Sequence, residues 1–157
     1  MNVFGRFSAR LKAGAFAVGT MLFFGLGQYA GAQTIYGNGT GTHNGYYYSL
    51  YSTGGSATMT LGSGSNYSIS WSNVGDMVGG TGWNPGSART INYNCGAYSN
   101  SGGGQGVYGW TTSPLVEYYI TDNGNQGGGG GTNEGQVSSD GGTYNVWHHQ
   151  QVNQPSI

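Results

Sequence analysis

The sequence predicts an all-β domain, an antiparallel sandwich of the jelly-roll kind. Three observations predict it. Short runs rich in tyrosine, threonine and branched residues recur along the chain with alternating polarity. Glycine-, asparagine- or aspartate-bearing turn signals separate them, and no stretch after residue 32 keeps a helical period. The 34 glycines are scattered without a period of three, which excludes a collagen-like chain.

The first 32 residues read differently from the rest. Arg6, Arg10 and Lys12 precede a short apolar run from Ala13 to Gly27, and Ala30-Gly31-Ala32 fits a small-x-small cleavage pattern. The apolar run falls short of the roughly 20 residues that a membrane span needs. Residues 1–32 are therefore expected to be a secretory leader, with the mature chain starting at Gln33 and exported. Residues 33–45 are expected to be a flexible lead-in of Gly, Thr and Asn.

Strands are then expected at Tyr46–Tyr51, Ala57–Leu61 and Tyr67–Trp71, with a turn at Gly54-Gly55 and another over residues 62–64. Tyr67, Ile69 and Trp71 share one face and serines the other, the pattern of a half-buried strand. Asp76–Val78 leads to a glycine-rich loop over residues 79–86, and Arg89–Tyr93 is expected to resume a strand. Val107–Thr111 turns at Thr112-Ser113-Pro114 into the strand that carries Glu117. Residues 127–131 are five consecutive glycines, expected as a mobile loop. Gln136–Ser138 and Thr143–Gln150 are the last strands, with Asp140-Gly141-Gly142 turning between them.

Pro114-Leu115-Val116-Glu117-Tyr118-Tyr119-Ile120 is the stretch that points to chemistry. As a strand it sends Val116, Tyr118 and Ile120 to one face, expected to pack on a second sheet. Leu115, Glu117 and Tyr119 go to the other. Glutamate is depleted in strands and rarely buried unpaired, so a carboxylate among rings is either solvated at a rim or held for a purpose.

Charge narrows the partners. Without the leader, Arg89 is the one basic residue against Asp76, Glu117, Asp122, Glu134 and Asp140. Such a surface has little to offer phosphates, so nucleic acid and anionic membrane are excluded as expected partners. A hydroxyl- and ring-rich surface suits carbohydrate. Cys95 is the only cysteine, so no intrachain disulfide forms. His148 and His149 are neighbours and face opposite sides of a strand, which argues against a shared metal, and no cofactor motif occurs. Asn38-Gly39-Thr40 and Asn66-Tyr67-Ser68 match the glycosylation acceptor pattern, relevant in a eukaryotic host.

Seven segments occur in a telling order: Gly54-Gly55, residues 67–73 (YSISWSN), 82–86 (GWNPG), 89–93 (RTINY), 108–111 (YGWT), 114–119 (PLVEYY) and 139–144 (SDGGTY). Together they resemble the family 11 glycoside hydrolases, small jelly-roll endo-β-1,4-xylanases, over residues 46–157. The resemblance implies a monomeric jelly roll with xylan in its palm and a retaining two-glutamate mechanism. It makes Glu117 the nucleophile, places Tyr108 and Tyr119 around it, and puts Tyr51 where a stacking ring meets a distal xylose. It makes Asp76 the neighbour of the acid/base residue, tuning activity toward acidic pH. It makes Pro155 and Ser156 the tip of a thumb loop over the substrate, with Gln151 at a position usually held by arginine. No residue here matches the family's acid/base glutamate: Glu134 lies in a glycine-rich loop and Asp140 in a turn. The resemblance thus implies a jelly roll incomplete at its C-terminus. Two other readings stay open, a binding-only xylan remnant and a Gly/Tyr-rich structural extracellular protein.

Overall fold

The computed structural model describes residues 3–4, 31–96, 103–124 and 131–154. Every regular element among them is a strand, and every pairing is antiparallel. The strands are β1 (Val3–Phe4), β2 (Gln33–Tyr36), β3 (Gly39–His43), β4 (Tyr46–Thr53), β5 (Ser56–Leu61), β6 (Tyr67–Ser72), β7 (Asp76–Trp83), β8 (Gly104–Thr112), β9 (Leu115–Gly124), β10 (Thr132–Ser139) and β11 (Gly142–His148). A six-stranded sheet runs β3-β4-β7-β1-β8-β9, a three-stranded sheet runs β2-β5-β6, and β10 and β11 form a ribbon.

The core lies where the small sheet covers β4 and β7. Alternation in β5 sends Ala57, Met59 and Leu61 inward, where they meet Tyr48 and Leu50 from β4. Ile35, Tyr67, Ile69, Trp71, Val74 and Met77 pack around them, so the face predicted for 67–71 is the buried one. Leu50, Met59 and Leu61 are almost wholly enclosed. Burying a side chain of that size stabilises by roughly 1.5–3 kcal/mol. The sheets come together tightly at Gly79. A Cβ there would lie 2.7 Å from Ile69 Cδ1 and 2.9 Å from Leu50 Cδ1, so a bare backbone lets the layers close. Polar bonds pin the loop between β5 and β6 to the large sheet. The Thr81 hydroxyl donates to the Ser65 carbonyl at 2.8 Å, and His43 Nε2 donates to the Gly62 carbonyl at 3.1 Å.

Several expectations need correction. Residues 33–43 are two strands rather than a flexible lead-in, because threonines there supply the alternation that pairing needs. The chain expected to loop from Gly79 stays in β7 as far as Trp83, paired with β4 from Asp76 to Gly82. Residues 89–93 form no strand; there Arg89 stacks over the Trp83 ring at 3.8 Å and its guanidinium donates to the Ser87 hydroxyl at 2.6 Å. Val116 and Ile120 are 44% and 46% exposed. Their face is only partly covered: Tyr118 between them is part-buried, but the core cluster under the small sheet draws no residue from β8 or β9. The leader lies mostly outside the described residues, although Val3 and Phe4 pair between β7 and β8. Residues 127–130 of the glycine run also lie outside them.

Candidate active site

The large sheet has a second face, turned away from the core. Because Tyr48 and Leu50 point inward, Tyr47, Ser49 and Tyr51 of β4 point to it. Their register partners Gly82, Gly80 and Val78 in β7 share that face, as does Asp76 opposite Thr53. Farther along, Tyr108 lies opposite Tyr119 and Trp110 opposite Glu117 in the β8–β9 hairpin. Residues directly opposite in an antiparallel pair project to the same side. Alternation therefore gathers two phenols, an indole and a carboxylate in one small area. The hairpin turns through Ser113-Pro114, where the Thr111 hydroxyl donates to the Pro114 carbonyl at 2.5 Å.

Glu117 is half-buried and gripped on one oxygen. The Tyr108 hydroxyl donates to its Oε1 at 2.6 Å, and the Tyr119 hydroxyl donates to the same atom at 2.6 Å. The two phenol rings lie 4.9 Å apart between centroids, tilted by 46°. Trp110 completes the cluster, its indole N–H donating to the Tyr108 oxygen at 2.7 Å. Hydrogen bonds this short to an ionised acceptor are the strong class, and they fix the carboxylate plane.

The electrostatics follow. Burial pushes the Tyr108 hydroxyl well above its ordinary titration range, and donation to Glu117 adds to the shift, while the indole bond opposes it. Tyr119 is raised for the same leading reason, then by Glu117, with smaller contributions from Tyr108 and Asp76. Both phenols stay protonated at any ordinary pH and remain donors. Asp76 is felt at Tyr119 from the start of β7, where its Oδ1 accepts the Met77 N–H at 2.9 Å.

Of the residues singled out in the sequence, the structure brings Glu117, Tyr108 and Tyr119 into direct contact. Asp76 joins them through its charge. Tyr51 stands on the same face in β4, three places from β8 in the strand order, and is 45% exposed, a ring open to solvent. Pro155 and Ser156 lie outside the described residues. The residue that sequence reasoning passed over is Trp110. Its signal was present, since counting pairs outward from the Ser113-Pro114 turn sets position 110 against 117.

A held carboxylate on a ring- and hydroxyl-lined sheet face fits the class that the family match supplies, a glycoside hydrolase. The family described as Glycosyl hydrolases family 11 matches residues 43–157, and the chain belongs to that family. Ethylene-inducing xylanase 1 of Botryotinia fuckeliana (strain B05.10) is 50% identical over 122 residues, covering 75% of this chain and 43% of that protein. Endo-1,4-beta-xylanase I of Cochliobolus carbonum is 49% identical over 124 residues, 76% of this chain and 56% of its own length. Endo-1,4-beta-xylanase Xyn11B of Cellvibrio japonicus is 48% identical over 134 residues, 80% of this chain and 38% of that protein. The chain thus spans about half the length of the curated relatives it matches.

Proposed function

We propose that the protein is a secreted, monomeric endo-β-1,4-xylanase that works by double displacement, with Glu117 as nucleophile. The observation that carries this reading is the one-sided grip on Glu117, where both phenols bind Oε1. A nucleophilic carboxylate must be ionised, oriented and left with an accessible oxygen. Among the described residues the hydroxyl donors meet Oε1, which orients the carboxylate and leaves Oε2 as the attacking atom. In the first step Oε2 bonds to the anomeric carbon of a xylose as the bond to the leaving oxygen breaks. In the second, water takes the sugar and the electron pair returns to the carboxylate. Tyr51 would bind a more distant xylose by stacking. Pro155 and Ser156 would close over the chain as part of a thumb. No cofactor or metal enters the scheme, and residues 1–32 direct export.

The scheme needs a second carboxylic acid about 5–5.5 Å from the first to protonate the leaving oxygen. No residue of the chain matches the family's glutamate for that role. The test therefore uses a leaving group that needs no proton. Incubated with a 2-fluoro-xylobioside of dinitrophenol, the chain gains the mass of one fluorinated xylobiosyl group and releases one equivalent of dinitrophenolate. Glu117→Gln gains nothing. Labelling that survives Glu117→Gln, or that maps to another residue, refutes the assignment.

The open ring of Tyr51, 45% exposed, suits a second reading, in which the face binds xylan without cutting it. Affinity electrophoresis in xylan separates the two when run beside the trapping experiment. Retardation that weakens in Tyr51→Ala, with no covalent labelling at all, supports the binding-only reading.

A further inference from the structure

We propose that Trp110 is a positioning residue which, acting through Tyr108, fixes which oxygen of Glu117 is bonded and which one leaves the sugar. The inference rests on the assignment of Glu117 as nucleophile. An indole nitrogen can only donate, and a phenol has one O–H to give. With Trp110 Nε1 donating to the Tyr108 oxygen at 2.7 Å, the Tyr108 proton has no acceptor in the indole. It points instead to Glu117 Oε1, 2.6 Å away. Tyr119 packs its ring against that of Tyr108 and donates to Oε1, so the three side chains form one cluster whose donor-only end is Trp110. Trp110 lies directly opposite Glu117 across the hairpin, yet its N–H is spent on the phenol and not on the carboxylate.

The chemistry gives this relay a direction. When Oε2 attacks the anomeric carbon, the carboxylate becomes an ester and Oε1 loses negative charge, so donors on Oε1 do not favour that step. When the ester breaks, the electron pair of the C1–Oε2 bond returns to the carboxylate and charge regrows on Oε1. Donors already aimed there stabilise the departure without reorganisation. An indole bond to the Tyr108 oxygen polarises its O–H and strengthens that donation, since linked hydrogen bonds reinforce one another. Trp110 is therefore expected to act on release of the sugar far more than on its capture.

The experiment uses the full chain with the dinitrophenyl β-xylobioside, and azide as the external nucleophile. Dinitrophenolate leaves with its electron pair and needs no acid. Azide nitrogen then bonds to C1 as the C1–Oε2 bond breaks, giving xylobiosyl azide without a general base. Trp110→Phe, which keeps a ring and removes the donor, is expected to slow azide-dependent release roughly three- to tenfold while the burst changes less than about twofold. In a Tyr108→Phe background the same substitution has no further effect. A structural role for the ring would persist in that background, and such persistence overturns the proposal.

A second readout needs no turnover. The Trp110 indole N–H resonance of 15N-labelled protein is expected to move upfield on Tyr108→Phe. An unmoved resonance removes the relay whatever the kinetics show. Should Glu117→Gln still release dinitrophenolate in a burst, the nucleophile assignment falls, and the indole resonance then reports on the hydrogen bond alone.

Discussion

Gly106 is the position where a single methyl group does most damage to the site, and the size of the effect follows from what surrounds it. A Cβ built on Gly106 would sit 1.9 Å from the backbone oxygen of Ile120, 2.9 Å from its carbonyl carbon and 3.0 Å from Thr121 Cα. All three are main-chain atoms, so no rotamer change relieves the clash. Ordinary contact begins near 3.4 Å, so β8 and β9 must part by about 1.5 Å, the difference between those two distances. The neighbouring register step, between Gln105 and Gly106, already carries a bulge. Losing two ladder bonds at about 1 kcal/mol each, and leaving partly desolvated groups unpaired, costs more than the strand preference of alanine returns. The net destabilisation is expected at roughly 2–4 kcal/mol.

Gly79→Ala is the control. Its Cβ would crowd Ile69 Cδ1 and Leu50 Cδ1, the far ends of two flexible side chains. Overpacking of that kind costs about 1 kcal/mol or a little more, and the strand gain of alanine over glycine offsets roughly 0.5–1 kcal/mol of it. Urea unfolding followed by tryptophan fluorescence measures both. The site gives a second readout, because Tyr108 is two residues from Gly106 and Tyr119 adjoins Ile120. Parting the strands there stretches the bond from Tyr108 to Glu117, so trapping of the fluorinated sugar should slow at least about tenfold in Gly106→Ala only. Equal stabilities for the two variants, or a smaller loss at Gly106 than at Gly79, would refute the reasoning.

Three further outcomes are expected. Met59 is fully enclosed in the core, so Met59→Ala should cost about 2–5 kcal/mol in the same urea experiment, and a loss under about 1 kcal/mol would mean that the two sheets do not close on it. Tyr108 and Tyr119 hold their protons above the ordinary tyrosine value of 10.0, so folding stability is full below about pH 10 and falls as the pH rises toward their raised values. Thermal melting from about pH 8 to pH 11 should show that loss, and a loss just as steep in a Tyr108→Phe/Tyr119→Phe double variant would assign it elsewhere. In a form of the protein that turns over xylan, activity is expected to peak below about pH 6 and to shift upward on Asp76→Asn, the effect that the family resemblance implies for an aspartate beside the acid/base residue. An unmoved optimum ends the role proposed for Asp76.

The parts of the fold that the sequence reveals are those governed by alternation. The buried faces of β5 and β6 follow from Ala57, Met59 and Leu61, and from Tyr67, Ile69 and Trp71, because each strand is half-covered and its pattern records which half. β7 escapes that logic. Gly79, Gly80 and Gly82 carry no side chains to alternate, and the run reads as a loop although β4 holds it in register throughout. Residues 33–43 mislead in the same way, since a strand built from glycine and threonine looks like a linker until its partner is known. Arg89–Tyr93 misleads in reverse: its composition suits a strand, but local contacts from Arg89 to Trp83 and Ser87 shape the start of the segment instead.

The candidate site is legible for a different reason, namely that it is local. Among the described residues, the side chains bonded to Glu117 come from the β8–β9 hairpin, nine residues away for Tyr108 and two for Tyr119. Once the turn at Ser113-Pro114 is placed, pairing outward from it determines which side chains face the carboxylate. Hydrogen-bond direction is a separate matter. Periodicity puts Trp110 beside Glu117, but only geometry shows the indole N–H passing the carboxylate by to reach Tyr108. Asp76 lies farther still from the reach of pattern, since its influence on Tyr119 crosses from β7 to β9 and depends on the strand order of the whole sheet. A carboxylate gripped within one hairpin keeps its geometry as long as two strands stay paired. The reach of Asp76 to Tyr119 survives only while the sheet between them holds together.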